Sequence, residues 1–431
     1  MTSDLRAVPP LTRMCLLLVC LWTAACGSDE ETSVLGEWEG TVVQEGYATV
    51  VRTVSGSVWG GPVGLQELFA LDEEGRGPPL ADVRGIAAAG DRIYVLDVQE
   101  AALQVYDTTG AYLKTVGRAG EGPGEFQRPV DLVVDDEGGR AIVRDARLRR
   151  ITFLGLDGSL ITTWSTPTVP GLLRPMVLTT EGDLFLPIRV NPADAPAAWR
   201  EGMASFGPEG PGGDTISASA VECPVSEVSF AGTTRGSISL PVPFSPQQVW
   251  SFTRQRWTIS GCSDGYRITV DFPDGSRRII ERDNWEPVPV KPLEAEWQRG
   301  MLTVRIRRDD PTWRWTGPDL PDAKPAFEAF FTDRQDRLWV LRPGPGRELA
   351  GGLQEPEDPL DYFRKPAWED THLLDAFDPD GRFLGQLDVP AEIRFRPLPW
   401  IDGDRLLALV EDASGELTVR AYRLLIPGSW R

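Results

Sequence analysis

The stretch Asp91-Arg-Ile-Tyr-Val-Leu-Asp97, followed by Gln104-Val-Tyr-Asp107 and Gly110-Ala-Tyr-Leu113, returns as Gly139-Arg-Ala-Ile-Val-Arg-Asp145, Thr152-Phe-Leu-Gly155 and Gly158-Ser-Leu-Ile161. Four pairs of landmarks keep one offset of 48 residues: Asp97 and Asp145, Val105 and Phe153, Gly110 and Gly158, Leu113 and Ile161. An offset held through a strand, a turn and another strand marks a structural repeat. Within each copy, Ile93/Val95 and Val130/Leu132/Val134 alternate with the period of two that half-buried strands require. The turns Asp107-Thr-Thr-Gly110, Leu156-Asp-Gly158, Pro273-Asp-Gly275 and Asp378-Pro-Asp-Gly381 supply residues suited to tight hairpins. One such unit reads as one four-stranded blade.

The other copies are more divergent. Asp336-Arg-Leu-Trp-Val-Leu341 and Asp404-Arg-Leu-Leu-Ala-Leu409 repeat the opening at Asp91, Phe377 to Leu384 repeats the hairpin around Gly110, Gly182-Asp-Leu-Phe-Leu186 begins a third copy, and Tyr266 to Val270 with Gly275 belongs to a fourth. Six copies fall near residues 80–117, 126–165, 172–222, 240–288, 325–389 and 392–426. The fold class read from this is all-β, a six-bladed β-propeller with four-stranded blades. The apolar strand at Leu65–Leu71 lies outside the copies and is expected to complete the last blade, closing the ring and hiding its edges. Residues 61–431 thus form the propeller, with two interruptions. Residues 289–324 are expected to hold a small helix and a loop over one face, and residues 343–370, rich in Gly, Pro and acid, read as a mobile loop.

The segment Gly117-Arg-Ala-Gly-Glu-Gly-Pro-Gly-Glu-Phe126-Gln-Arg-Pro129 resembles the connection between blades in NHL-type propellers and, more closely, the family of bacterial six-bladed propeller lipoproteins. Its glycines let the chain leave an outer strand, Phe126 is placed to plug between blades, and Pro129 opens the next innermost strand without needing a donor.

Residues 1–25 carry Arg6 and Arg13 before the apolar run Leu16–Trp22, too short for a permanent membrane span, and read as a cleaved export signal. Thr23-Ala24-Ala25-Cys26 resembles a bacterial lipobox, with Cys26 lipidated and residues 26–60 forming a tether and N-terminal strands. Gly27 favours outer-membrane attachment over inner-membrane retention. The expected partners are therefore the membrane, through the lipid, and a protein or polysaccharide ligand. The chain carries a net charge of −20, which becomes −21 once two arginines and one aspartate leave with the signal. So acidic a surface repels phosphate backbones and excludes nucleic acid as a partner. Cys223 and Cys262 remain as the two thiols after Cys26, an even pair that an oxidising compartment tends to bridge; two buried free thiols are the alternative.

Chemistry is sparse. His372 is the single histidine and Asn191 and Asn284 are the only asparagines, so an imidazole cluster is excluded, and neither a metal nor another cofactor is assigned. No Gly-x-Ser-x-Gly element or phosphate loop occurs. Asp97 and Asp145 read as turn caps, and His372 as an exposed or satisfied side chain. Arg84, Asp131, Arg174 and Arg396 lie beside the inferred innermost strands, where they would either bind an anionic or polar ligand or simply fill a wet axis. Trp297, Trp313 and Trp315 would either line a partner surface or pack beneath the insert. The expected function is a lipid-anchored, non-catalytic binding or scaffold module. Related propellers include lactonases and lyases, and that resemblance implies the alternative of a metal-assisted hydrolase or lyase with channel carboxylates.

Overall fold

The computed structural model describes residues 31–35, 38–166, 174–190, 200–217, 221–231, 237–349 and 368–427. Its strands form six radial sheets. Blade 1 comprises Val83–Ala89, Arg92–Asp97, Ala102–Asp107 and Tyr112–Val116, and blade 2 comprises Pro129–Asp135, Arg140–Asp145, Arg150–Gly155 and Leu160–Ser165, each hydrogen-bonded in chain order from the axis outward. Blade 3 spans residues 177–217, blade 4 residues 248–282, and blade 5 residues 329–389. Blade 6 takes its inner strands from residues 393–425 and its outermost strand, Gly64–Ala70, from near the other end of the chain. The ring closes as its sequence implied.

The repeated glycines make the outer hairpins. Gly110 and Gly158 sit at φ of +92° and +85°, the left-handed region that a side chain resists. Gly275, Gly381 and Gly415 adopt the same conformation at φ of +85° to +87°.

Cohesion comes from apolar side chains interleaved between neighbouring blades. Phe126 is fully buried between blades 1 and 2 among Tyr94, Leu103 and Val143. Burial of such a ring contributes about 2–3 kcal/mol. Backbone bonds from Phe126 N–H to Arg118 O (2.8 Å) and from Gly120 N–H to Phe126 O (3.0 Å) hold its connection in place. Asp97 caps as expected: Oδ1 accepts from Gln99 and Glu100 N–H, and Oδ2 from Ala81 and Asp82 N–H, all at 2.7–3.1 Å. Asp145 repeats the pattern on Arg147, Leu148, Gln127 and Arg128. Each aspartate fastens the chain entering its blade to the turn after the second strand.

Residues before the ring-closing strand make an addition that local pattern did not announce. Trp38–Glu45 and Ala48–Ser55 form a hairpin, and the latter pairs in parallel with Arg277–Arg282, the outer strand of blade 4. With Glu31–Leu35 the sheet reaches seven strands. Trp38 is buried in the blade 4–5 core and donates from Nε1 to Thr53 Oγ1 at 3.0 Å.

Residues 289–324 contain the helix Pro292–Arg307. Proline is tolerated in a first turn because the N–H it lacks would be unpaired there, and Glu294 reaches back to the Lys291 N–H at 3.4 Å. The Glu294 carboxylate also forms a buried ion pair with Lys324. Trp297 and Trp313 are packed rather than exposed: Trp297 meets Trp368 and Met301, and Trp313 fills the hairpin Glu227–Ala231/Ser237–Pro241, with Trp315 edge-on to it. The physical reason is area, since these rings cover apolar surface that no blade encloses. Of the acidic loop, residues 350–367 lie outside the described residues, as does Cys26; Arg347–Glu348 and Trp368–Glu369 pair across it. Among the described residues, no helix is long and apolar enough to cross a membrane.

Candidate functional site

Among the described residues, two cavities open along the ring axis. The larger, about 750 Å³, opens where the innermost strands begin and is walled by blades 1, 4, 5 and 6. The smaller, about 560 Å³, opens at the opposite mouth among the turns at Asp135–Gly138 and Thr179–Gly182. Leu398 lines both.

Its placement originates in the sequence. Blade 6 has its innermost strand broken between Ile393–Arg394 and Trp400–Asp402, although both pieces pair with Arg405–Glu411. The break is Phe395-Arg396-Pro397-Leu398-Pro399, whose two prolines cannot donate to the ladder. The segment leaves the sheet there, and Phe395, Arg396 and Leu398 line the larger cavity.

Blade 5 supplies the facing chemistry. Glu328 immediately precedes the innermost strand, Ala329–Thr332, and His372 begins the third strand, His372–Phe377. The sheet register brings both to the same mouth, where His372 Nε2 stands 3.6 Å from Glu328 Oε2 and the imidazole lies 4.9 Å from the Phe395 ring. His372 is thus a partly buried side chain beside a carboxylate. Its imidazole is held down to about 4, first by burial and then by Lys324 and Arg394, so it is neutral near pH 7. Glu328 is pushed up to about 7, first by burial and then by Asp370, against Lys324 and Arg396. Its side chain is 41% exposed and lines the cavity, so the carboxylate is partly wetted while the surrounding protein disfavours its charge.

Most charges here are matched. Arg84 pairs with Asp82 at 2.8 Å and Arg394 with Glu411 at 2.9 Å. Lys324 is engaged by Glu294 and donates to Gly344 O at 3.0 Å. Arg396, exposed to the cavity, has no ion partner among the described residues. Phe244, Phe327 and Phe395 supply apolar wall.

Of the arginines and aspartate singled out from sequence, Arg84 and Arg396 line this cavity, while Asp131 and Arg174 stand apart from it. Asp131 is buried, pairs with Arg144 at 2.9 Å and accepts the Met176 N–H at 2.7 Å, tying blade 2 to blade 3. Arg174 lies 4.4 Å over the Trp250 ring and pairs with Glu201. The sulfurs of Cys223 and Cys262 are 1.96 Å apart with Cα atoms at 5.3 Å, a disulfide joining the segment after blade 3 to blade 4. Beneath His372, Asp375 is fully buried and accepts from Tyr266 (2.7 Å) and Arg282 (2.5 Å), with Arg342 at 3.4 Å. This cluster fixes the strand that carries the histidine. Among the described residues, no group of three or more His, Cys, Asp or Glu is placed to hold a metal ion.

Residues 78–185 match the family model DUF5128, a 6-bladed beta-propeller. No curated protein matches the chain. Similar solved structures include a DUF4221-family member from Bacteroides vulgatus, 11% identical with a TM-score of 0.49, covering 84% of this chain and 99% of that one. A protein of Bacteroides fragilis named as a candidate exported protein is 11% identical with a TM-score of 0.44, over 84% and 95% of the two chains. Virginiamycin B lyase from Staphylococcus aureus is 9% identical with a TM-score of 0.39, over 83% and 99%. None of these likenesses bears on activity. The chain is a six-bladed β-propeller whose first two blades match a 6-bladed beta-propeller family.

Proposed function

We propose that this protein is a lipid-anchored binding module of the cell envelope, non-catalytic, which seats part of a protein or polysaccharide ligand in the larger axial cavity. The observation that carries the reading is that cavity: about 750 Å³, edged by apolar rings and mostly matched charges. The helix and the paired strands at 347–348 and 368–369 are joined through Trp297 and Trp368, and Lys324 links the helix to the cavity rim. They extend the surface offered to a large ligand. The order of charged start, apolar run, Ala-Ala-Cys26 and polar tether supports export and lipidation, with the outer membrane as the site of attachment.

Alkyne-palmitate labelling of cells expressing wild type and Cys26→Ser tests the anchor. Label and membrane association are expected in wild type and lost in the variant; equal labelling contradicts it. The one feature favouring a hydrolase or lyase is the Glu328–His372 pair. The metal-assisted form of that alternative predicts tight, stoichiometric Ca²⁺ or Mg²⁺ binding by titration, whereas the binding-module reading predicts none.

A further inference from the structure

We infer that the larger axial cavity is an oxyanion-binding site: Arg396 receives a carboxylate or sulfonate-like group, Phe244, Phe327 and Phe395 hold the apolar body attached to it, and Glu328 sets how strongly the anion is held. This rests on the cavity being the ligand site and names the chemistry of the ligand.

The argument is a charge inventory. Arg84, Arg394 and Lys324 each have a carboxylate of their own, namely Asp82, Glu411 and Glu294. Arg396 has none among the described residues, and it lies in the stretch 395–399 that interrupts the innermost strand of blade 6, outside the ladder, where it lines the cavity. A guanidinium presents a planar fork of donors that matches an oxyanion. In a concave site that displaces part of the surrounding water, that pairing is stronger than on a flat surface.

The groups facing Glu328 are His372 at 3.6 Å, Asp370, Lys324 and Arg396. Lys324 is already matched, and His372 is neutral near pH 7. The charge Arg396 offers to a ligand is therefore offset by Glu328 only when that carboxylate ionises. Below about 7 Glu328 is protonated, leaving Arg396 uncompensated and adding a hydroxyl donor; above it, the carboxylate competes with the ligand for the guanidinium. Anion affinity should fall as pH rises through that point.

Calorimetric titration of the purified protein with benzoate, benzenesulfonate and the neutral isostere benzamide tests this. The expected result is saturable binding of both anions, roughly tenfold weaker for benzamide and for either anion to Arg396→Gln. From about pH 6 to about pH 8 anion affinity should drop by up to about tenfold in wild type and stay level in Glu328→Gln. Circular dichroism melts confirm that each variant is folded, and Arg396→Lys, which keeps the charge, should retain part of the affinity. Equal binding of benzamide and benzoate, an unchanged Arg396→Gln, or no saturable binding of the anions at millimolar concentration overturns the inference. Gln247→Trp, which places a ring in the cavity, separates the two levels of the claim. If it abolishes binding of charged and neutral probes that bind alike, the cavity is the ligand site but is not anion-selective. If anions still bind to Gln247→Trp with Arg396 dependence, the ligand site is not the cavity.

Discussion

Blades 1 and 2 meet differently from blades 3 and 4. Between the first pair, eleven buried apolar residues surround Phe126, and Asp97 and Asp145 each bind four backbone N–H groups. Between the second pair, the buried cluster among the described residues is Phe185, Met203, Trp250 and Phe252. The place of the aspartate is also taken: Val98 N–H bonds Asp82 O, Ala146 N–H bonds Arg128 O, and Ser263 N–H bonds Gln247 O, so the residue matching Asp97 and Asp145 is Cys262. Cys262 enters the disulfide, and Ser263 Oγ, one residue on, accepts the Gln247 N–H at 2.9 Å. A covalent link and a cation–π contact from Arg174 to Trp250 stand where the regular blades use core and caps. The regular pair holds the ring, while the divergent blades 4, 5 and 6 and their inserts carry most of the cavity.

This contrast can be broken in several places. The largest effect is expected from Cys262→Ser, or from reduction of wild type, since the bridge closes a sequence separation of 39 residues. Chain entropy places its contribution at about 4 kcal/mol, and denaturant melts of oxidised and reduced protein measure it. A loss under about 1 kcal/mol would mean that the thin interface stands without the bridge. Next comes Asp145→Ala, expected to cost about 3 kcal/mol because four N–H groups lose a charged acceptor. Asp97→Ala should match it, and clearly unequal losses would deny that the two blades use equivalent caps. Arg174→Met keeps the stem but removes the guanidinium from Trp250 and Glu201; as a partly exposed group it should cost only about 1 kcal/mol.

A smaller effect concerns the divergent side and has a definite sign. Glu328 binds its proton more tightly when folded, so the stability it provides is full below its ordinary 4.5 and is lost as pH rises through about 7. His372, held down, acts oppositely, its stabilisation being present above 6.5 and lost as pH falls through about 4. Melts of wild type and Glu328→Gln across this range should show the wild-type advantage shrinking as pH rises, by less than burial alone implies because the carboxylate is partly wetted. An advantage that grows with pH would mean that Glu328 is ionised throughout.

What was legible in the sequence was whatever repeats. The shared offset of Asp97 and Asp145, the turn glycines and the Phe126 connection specify blade, hairpin and interface through local spacing alone. The Leu65–Leu71 strand was legible by elimination, being an apolar run left without a blade. The cavity pair was not, because Glu328 and His372 come from different strands of blade 5 and meet only through its register. One signal pointed that way: Pro397 and Pro399 within an expected innermost strand announce a break toward the axis. Arg396, just before them, is marked in the sequence by its position, but that it lacks a carboxylate partner among the described residues required the three-dimensional arrangement of the neighbouring charges. The parallel docking of Ala48–Ser55 on Arg277–Arg282 left no local pattern at all.

The most direct test of the account is native mass spectrometry of wild type and Gln247→Trp after exposure to the same solubilised envelope fraction. A species bound to wild type and missing from the variant, with both proteins equally folded, is the predicted result. The same species retained by both would place the ligand elsewhere on the ring and contradict an axial binding site.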